Sequence, residues 1–438
     1  MTILIGLDVC SRTSAFLRGA RSSNCGHKRS QSDLRLIAPP SAAVPLSSST
    51  SMIDSNPSDA GSRDARRAVR PFVLMLICST VIVVGLLVIK MTTSFPGIQY
   101  THLLVNYDFG VIKRALVGAV VSLFRPRVGL VDVYVVGLTA WLAALIAYLA
   151  VFRRTFGFSE RTLPLLAIIL SSPVFFKNFM FSIGYFDVLG CLAALIALLL
   201  PVNLALLLIM GAISCILLFI HHLHLLLYVP TIGLIVLLRT LADGRINLRA
   251  ALLAGTVVTI AIGACFYFLA FHGSVPVPVD EFTAALRARA VNSPEKIGGY
   301  LVQIFYTDIA YEIEETMKGL PNNALRFPIY LILIYLHLPL ISYFRRLMRF
   351  LARRQDRLLV VAGLAGVTLG YGVIGVVVFD YPRWVSNWAV CMILIMHAVR
   401  ALPSTQSDPV PIDPTLSKNR WFGWILALIP RVGINKPF

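Results

Sequence analysis

The segment from Phe72 to Ile89 carries no charged side chain, and uncharged apolar runs of similar length recur along most of the chain. A helix rising 1.5 Å per residue needs about 20 residues to cross roughly 30 Å of hydrocarbon. Within that layer only helices and closed barrels satisfy their own backbone groups, and runs this continuous ask for helices. Only 14% of the 438 residues are charged, against about 25% in soluble proteins, and the mean hydropathy is +0.79. The expected fold class is all-α: a polytopic membrane helix bundle of about ten transmembrane helices, with interfacial helices on the outer face.

The net charge is +18. In a soluble protein such an excess suggests nucleic acid. Here most Lys and Arg fall in short connections between apolar runs, where they set orientation by the positive-inside bias, so no nucleic-acid partner is implied. Five of seven cysteines (Cys78, Cys191, Cys215, Cys265, Cys391) lie within apolar spans and two (Cys10, Cys25) precede them. None falls in an external loop, which gives disulfides no role.

Residues 1–70 read as a disordered cytoplasmic leader, rich in Ser, Arg, Pro and Ala without apolar periodicity, with Met52 a possible true start. The transmembrane domain covers 71–401. Its spans are expected at about 71–91, 130–151, 162–176, 186–200, 203–220, a sixth ending at Arg239, 250–271, 327–344, 358–379 and 384–400. Arg66, Arg67 and Arg70 place the N-terminus in the cytoplasm; Arg153, Arg154, Arg239, Arg245, Arg249, Arg345, Arg346, Arg349, Arg353, Arg354 and Arg400 then fall on that side. The acids Asp108, Asp132, Asp187, Asp280, Glu281, Glu295, Asp308, Glu312, Glu314, Glu315 and Asp380 gather on the other. Residues 402–438 form a cytoplasmic tail; Trp421, Phe422, Trp424, Ile425 and Leu426 beside Lys418 and Arg420 suggest a helix lying on the inner leaflet.

Two outer-face loops, 92–129 and 272–326, and three short connections hold the chemistry-bearing residues. Asp108, in Asn106-Tyr107-Asp108-Phe109-Gly110, is a carboxylate able to act as general base, with Lys113 and Arg114 close by and an interfacial stretch from Ala115 to Phe124. Lys177-Asn178 and Gly184-Tyr185-Phe186-Asp187 bracket the connection between the third and fourth spans, Lys177 as an anion contact. His221, His222 and His224 suit hydrogen-bond donation to a phosphate better than metal binding, since no acid or Cys accompanies them locally. Asp380-Tyr381-Pro382-Arg383-Trp384 offers an arginine for bidentate phosphate contact and rings for stacking on sugars. The structural alternatives are Asp108 paired to Lys113 or Arg114, a snorkelling Lys177, a helix-capping Asp187, helix-packing histidines, and a local Asp380–Arg383 pair. In loop 272–326 the apolar residues Phe282, Leu286, Leu301, Ile304 and Phe305 suggest short amphipathic helices over the outer mouth, carrying Arg287 and Arg289.

In layout, the chain resembles the membrane-embedded GT-C glycosyltransferases and related polymerases of bacterial surface polysaccharide. Four features between residues 71 and 245 carry the likeness. They are Asp108 in the first external loop, Ser171-Ser172-Pro173-Val174-Phe175-Phe176-Lys177-Asn178 leaving the third span, Gly184-Tyr185-Phe186-Asp187 opening the fourth, and the turn from His221 to His224. The resemblance implies sugar transfer from a polyprenyl-phosphate-linked donor to a glycan acceptor at the outer face of the inner membrane, without a cofactor and alongside other polysaccharide assembly proteins. By analogy Asp108 takes the acceptor proton, while Arg383, Lys177 and His222 stabilise the departing lipid phosphate. Arg114 and Asp187 join Asp108 as catalytic candidates; Asn178, His221, His224, Asp380, Arg287 and Arg289 join the substrate-contacting set. The family often places two acids in the first loop, where this chain has Asp108 alone. A Wzy-type polymerase would instead use arginines of two loops: Arg114, Arg125 and Arg127 with Arg287, Arg289 and Arg326. A transporter or flippase is the alternative of another class, against which stand spans nearly free of charge at their centres.

Overall fold

Among the described residues, six helices are long and apolar enough to cross a bilayer: Arg70–Thr93, Leu130–Phe156, Leu163–Phe181, His224–Asp243, Arg249–His272 and Arg354–Val377. A pair bent by 60°, Pro328–Leu336 with Leu338–Arg349, makes a seventh if it is one span. These are features of a computed structural model that describes residues 57–432 apart from 245–246, 308, 325–326, 378–379 and 405–419. Met52 and the rest of the leader to 56, with Arg245, Asp308, Arg326 and Lys418, lie outside the described residues, as do the side chains of Arg66, Arg67 and Glu312. No strand occurs among the described residues, only two isolated bridges, Val128 with Ala290 and Leu351 with Ser404.

In chain order the helices are α1 (Pro57–Thr93), α2 (Gly97–Leu104), α3 (Leu116–Ser122), α4 (Leu130–Phe156), α5 (Leu163–Ser171), α6 (Phe176–Phe181), α7 (Asp187–Leu199), α8 (Leu204–Ile220), α9 (His224–Leu227), α10 (Val229–Asp243), α11 (Leu248–His272), α12 (Val279–Arg289), α13 (Tyr300–Gln303), α14 (Ile309–Ala324), α15 (Phe327–Leu336), α16 (Leu338–Arg349), α17 (Arg354–Val377), α18 (Tyr381–Val399) and α19 (Arg420–Leu428). Ten crossings were expected from apolar runs. Of those, α7 has 13 residues and α8 has 17, about 20 and 26 Å at 1.5 Å per residue, each short of the hydrocarbon thickness.

The centre of the bundle is α7, contacted by α4, α8, α10 and α18, with α17 against α18 and α11 against α8. Burial of apolar surface cannot drive such pairing in lipid, so close backbone approach must. At Gly211 of α8 a Cβ would meet a methyl of Val258 on α11 at 2.5 Å. Only glycine lets these two helices lie this close.

Two spans are broken, and the breaks touch. Pro173 has no N–H to continue α5, which ends at Ser171 before α6 resumes at Phe176. Pro339 in the first turn of α16 separates it from α15 at His337. Ser172 Oγ lies 2.7 Å from His337 Nε2, while His337 Nδ1 faces Leu333 O at 2.6 Å.

Over one end of the bundle the two long loops are stitched together. Val128 N donates to Arg289 O at 2.9 Å and Val291 N to Val128 O at 2.9 Å. Tyr100 Oη, at the centre, donates to Val128 O at 2.7 Å and accepts from Asn292 N at 3.2 Å. Phe109, Phe282, Phe305 and Tyr306 form edge-on ring contacts that give this cap a core of its own. Of the apolar residues expected in short helices here, Phe282 and Leu286 lie on α12 and Leu301 on α13, while Ile304 and Phe305 follow α13.

The tail helix differs from its expected seat on a leaflet. α19 docks against α1 and α5, with Phe72, Met75, Ala167 and Ala427 as a small buried cluster. Gly423 sets its backbone against Met75 and Ile168.

Candidate functional site

The first turns of α7 and α18 meet beneath the cap, and a charged network joins them. Arg383 Nε lies 2.9 Å from Asp187 Oδ2, and its Nη1 is 3.3 Å from Asp380 Oδ2. The side chains of Arg383 and Asp187 are only 12% and 6% exposed, so this ion pair belongs to the interior. Asn387, one turn beyond Arg383, donates from Nδ2 to Asp187 Oδ2 at 3.1 Å and accepts from Tyr228 Oη at 2.7 Å. The guanidinium is stacked over Trp384 at 4.0 Å and Tyr185 at 4.6 Å. Gly190 makes the assembly possible: a Cβ there would stand 2.3 Å from the Tyr228 ring and 2.9 Å from His224. Burial pushes the Asp380 carboxyl up from its ordinary value, Arg383 holds it down, and Asp187 adds to the rise. The local Asp380–Arg383 pair and the cross-helix Asp187–Arg383 pair thus exist together.

Beside this network stands a group of four histidines. His221 and His222 are stacked at 5.2 Å, His221 and His224 stand edge-on at 6.3 Å, and His102 of α2 faces His221 at 6.5 Å. His102 is also stacked on Phe186 at 5.4 Å, the residue before Asp187. Neither ring nitrogen of His102 has a hydrogen-bond partner. Burial, then the positive charge of Arg114, then that of Arg383 hold His102 well below its ordinary value. Burial and Arg114 act in the same direction on His221 and His222, with Lys113 adding to the effect on His222. The histidines are therefore neutral at pH 7, each ring offering one donor and one acceptor.

Arg114 is buried with φ at +68°, in the left-handed region that a residue with a side chain occupies at a cost of order 1–2 kcal/mol. The cap imposes that conformation. Lys113 N donates to Gly273 O at 2.9 Å and Lys113 Nζ to Thr307 O at 2.7 Å, fixing the loop just before the turn.

Asp108 sits on the same loop but at the surface. Its Oδ2 accepts from Asn106 Nδ2 at 2.7 Å, and its backbone N donates to Asn106 Oδ1 at 3.3 Å, a self-contained turn that leaves the carboxylate exposed. Its charge acts on Arg289, whose Nη1 donates to Leu104 O. Arg287 Nε donates to Ile297 O at 2.9 Å. Both arginines thus tie the cap's backbone together.

Arg114, Asp187, His221, His222, His224, Asp380 and Arg383 are brought to one end of the bundle, with Asp108 and Arg289 on its rim. Lys177 and Asn178 are not. The third span does not end at 176 as the apolar run suggests, because the helix resumes after Pro173 and carries both residues inward to Phe181. Lys177 is fully buried, and its Nζ donates to Leu426 O at 3.2 Å, Ala427 O at 2.6 Å and Ile429 O at 3.2 Å. It caps the carbonyl end of α19. Asn178 is buried in α6, its carbonyl accepting from Ser182 Oγ at 2.7 Å.

Sequence reasoning missed His102, Tyr228 and Asn387. Asn387 had a usable signal: it follows Arg383 by four residues, one helical face on, as Tyr228 follows His224. His102 had none, being a single histidine in a segment read as interfacial. Among the described residues no three His, Cys, Asp or Glu side chains are placed to share a metal ion. No family model matches this chain, and neither does any curated protein or solved structure.

Proposed function

We propose that the chain is a membrane-embedded glycosyltransferase. It moves a sugar from a polyprenyl-phosphate-linked donor to a glycan acceptor at the outer face of the bacterial inner membrane, in exopolysaccharide or O-antigen-type polysaccharide assembly. In this reading α7, α8, α18 and the bent α15–α16 pair complete the ten crossings, with both termini cytoplasmic and the cap facing outward. The observation that carries it is the meeting of Arg383, Arg114 and the neutral histidines at the first turns of α7 and α18, under the loop that presents Asp108. Two helix N-termini with donors beside them suit a phosphate that gains charge as its sugar leaves.

The roles follow from the charges already present. Arg383 is balanced by Asp187 and Asp380, so it orients the site. Arg114, whose positive charge reaches His102 and His222, adds to the field at the departing phosphate, with those two histidines as neutral donors. Asp108, exposed and hydrogen-bonded to Asn106 within its loop, is the general base for the acceptor hydroxyl. The test uses lipid-linked glycan extracted from a deletion strain, supplied to the purified protein in proteoliposomes. Release of polyprenyl phosphate with glycan extension is expected, falling about 100-fold or more in Asp108→Asn with folding intact. Full activity in that variant refutes the base assignment, and no transfer by the wild type refutes the reading. A Wzy-type polymerase predicts instead that Arg287→Ala and Arg289→Ala abolish extension.

One observation favours a transporter or flippase as the second reading. Two broken spans joined at their breaks by Ser172 and His337, with Lys177 buried beside one of them, suit a moving element. Counterflow of lipid-linked glycan without glycosyl transfer would decide for it.

A further inference from the structure

At the end of the bundle opposite the Asp187–Arg383 network lies a cavity of about 350 Å³, lined by Arg154, Arg239, Arg400, His397 and Asp243 together with apolar side chains of α4, α7 and α18. It falls where α4, α7, α10 and α18 end, and the volume is in the roughly 300–1,000 Å³ range of ligand sites. Two of its arginines have a structural use. Arg154 Nη1 donates to Leu199 O at 2.7 Å; Arg239 donates from Nη1 to Ala197 O and from Nη2 to Leu200 O at 2.7 Å, all at the carbonyl end of α7. A helix needs some such cap, and basic residues at span ends are ordinary.

Capping does not account for the rest. Arg400 Nε is buried with no hydrogen-bond partner. His397 is 2% exposed, held between the rings of Tyr148, Phe152 and Phe156, and neither of its nitrogens has a partner. A buried polar group without a partner calls for a ligand or water to complete it. Three guanidiniums against one carboxylate leave the lining cationic, and a planar guanidinium matches a phosphate's oxygens two at a time. The apolar walls from Leu198, Val202 and Ala398 suit what a phosphate is attached to in a lipid.

We propose that this cavity binds a phosphate group, with Arg400 and His397 as its dedicated contacts. The group arrives on a lipid headgroup or as free phosphate. The full chain is placed in phosphatidylcholine nanodiscs, alone, with phosphatidic acid added to the bilayer, or with inorganic phosphate in the buffer. Retained adducts are counted by native mass spectrometry and thermal stabilisation is measured beside them. Retention of phosphatidic acid supports a lipid source; stabilisation by phosphate without lipid retention supports the free anion. In either arm Arg400→Gln is expected to weaken binding about tenfold and Arg400→Lys to recover part of it. Equal binding by wild type and a folded Arg400→Gln, or no preference for phosphate over chloride in the wild type, overturns the proposal. Should Arg400→Gln fail to fold, His397→Gln replaces it with the same expectation.

Discussion

Replacing Asp187 with Asn removes one charge and almost no volume, so its cost isolates the electrostatics of the α7–α18 junction. An exposed ion pair contributes about 0–1 kcal/mol. Breaking a buried one costs roughly 3–5 kcal/mol, because the surviving partner is left charged in a poor solvent. Exposures of 12% and 6% put Arg383 and Asp187 in the second class. Two features reduce the figure. Asp380 remains 3.3 Å from the guanidinium, and an Asn side chain can still accept from Asn387, replacing a charge-assisted bond by a neutral one. Together these place the expected loss at about 2–4 kcal/mol. The assay is equilibrium unfolding in mixed detergent, measured for wild type, Asp187→Asn, Arg383→Met and the double variant. In the double variant the uncompensated cation is gone, so it should be more stable than the sum of the two losses implies, with a coupling of about 1–3 kcal/mol. A loss under 0.5 kcal/mol in Asp187→Asn, or strict additivity, would refute the claim that this pair holds the junction.

Three further outcomes follow from the same geometry. Gly190→Ala drives a methyl into the Tyr228 ring at 2.3 Å, so it should destabilise by about 1–3 kcal/mol as other overpacking does and break the Tyr228–Asn387 bond, seen as altered tyrosine fluorescence. Lys177→Met leaves three carbonyls of the tail without their donor; amide exchange over 420–429 should accelerate about tenfold, while unchanged protection would contradict the capping role. The acid sensitivity of the site comes from His102, His221 and His222, all held below their ordinary values by burial first and Arg114 second. Their folded-state affinity for protons is lower than that of the unfolded chain, so their stabilising contribution is complete above about pH 6.5 and lost as the pH falls below it, by roughly 1.4 kcal/mol per histidine per unit. Unfolding midpoints from pH 7.5 to 5.5 should show this slope, and His→Gln at these positions should flatten it.

How far the sequence could be read depends on what each residue type reports. Apolar run length reports helices faithfully, since inside lipid the backbone has no alternative, and the long helices α1, α4, α11 and α17 all lie where runs were seen. It reports ends poorly. Pro173 interrupts hydrogen bonding without ending the crossing, so a reading that stops the third span at 176 exposes Lys177 when it is buried. The error is physical: a lysine beside an apolar run is ordinarily at the water boundary, and only three backbone carbonyls from a segment some 250 residues away make its burial tolerable. No local window contains that information. The Asp187–Arg383 pair lies at the other extreme. Each residue opens a helix after a short polar turn, a local signal, and the positive-inside bias puts both turns on one side of the membrane. What the sequence leaves open is which neighbour each chooses. Arg383 could satisfy itself with Asp380 three residues away, and in the structure it does so only in part. The stronger partner comes from across the bundle because Gly190 and Gly211 let α7, α8, α10 and α11 close up until α18 meets α7. The site's chemistry thus depends on packing between spans, and its histidines are neutral because that packing excludes water. A variant that loosened α7 from α10 would be expected to raise their proton affinity before it lost the fold.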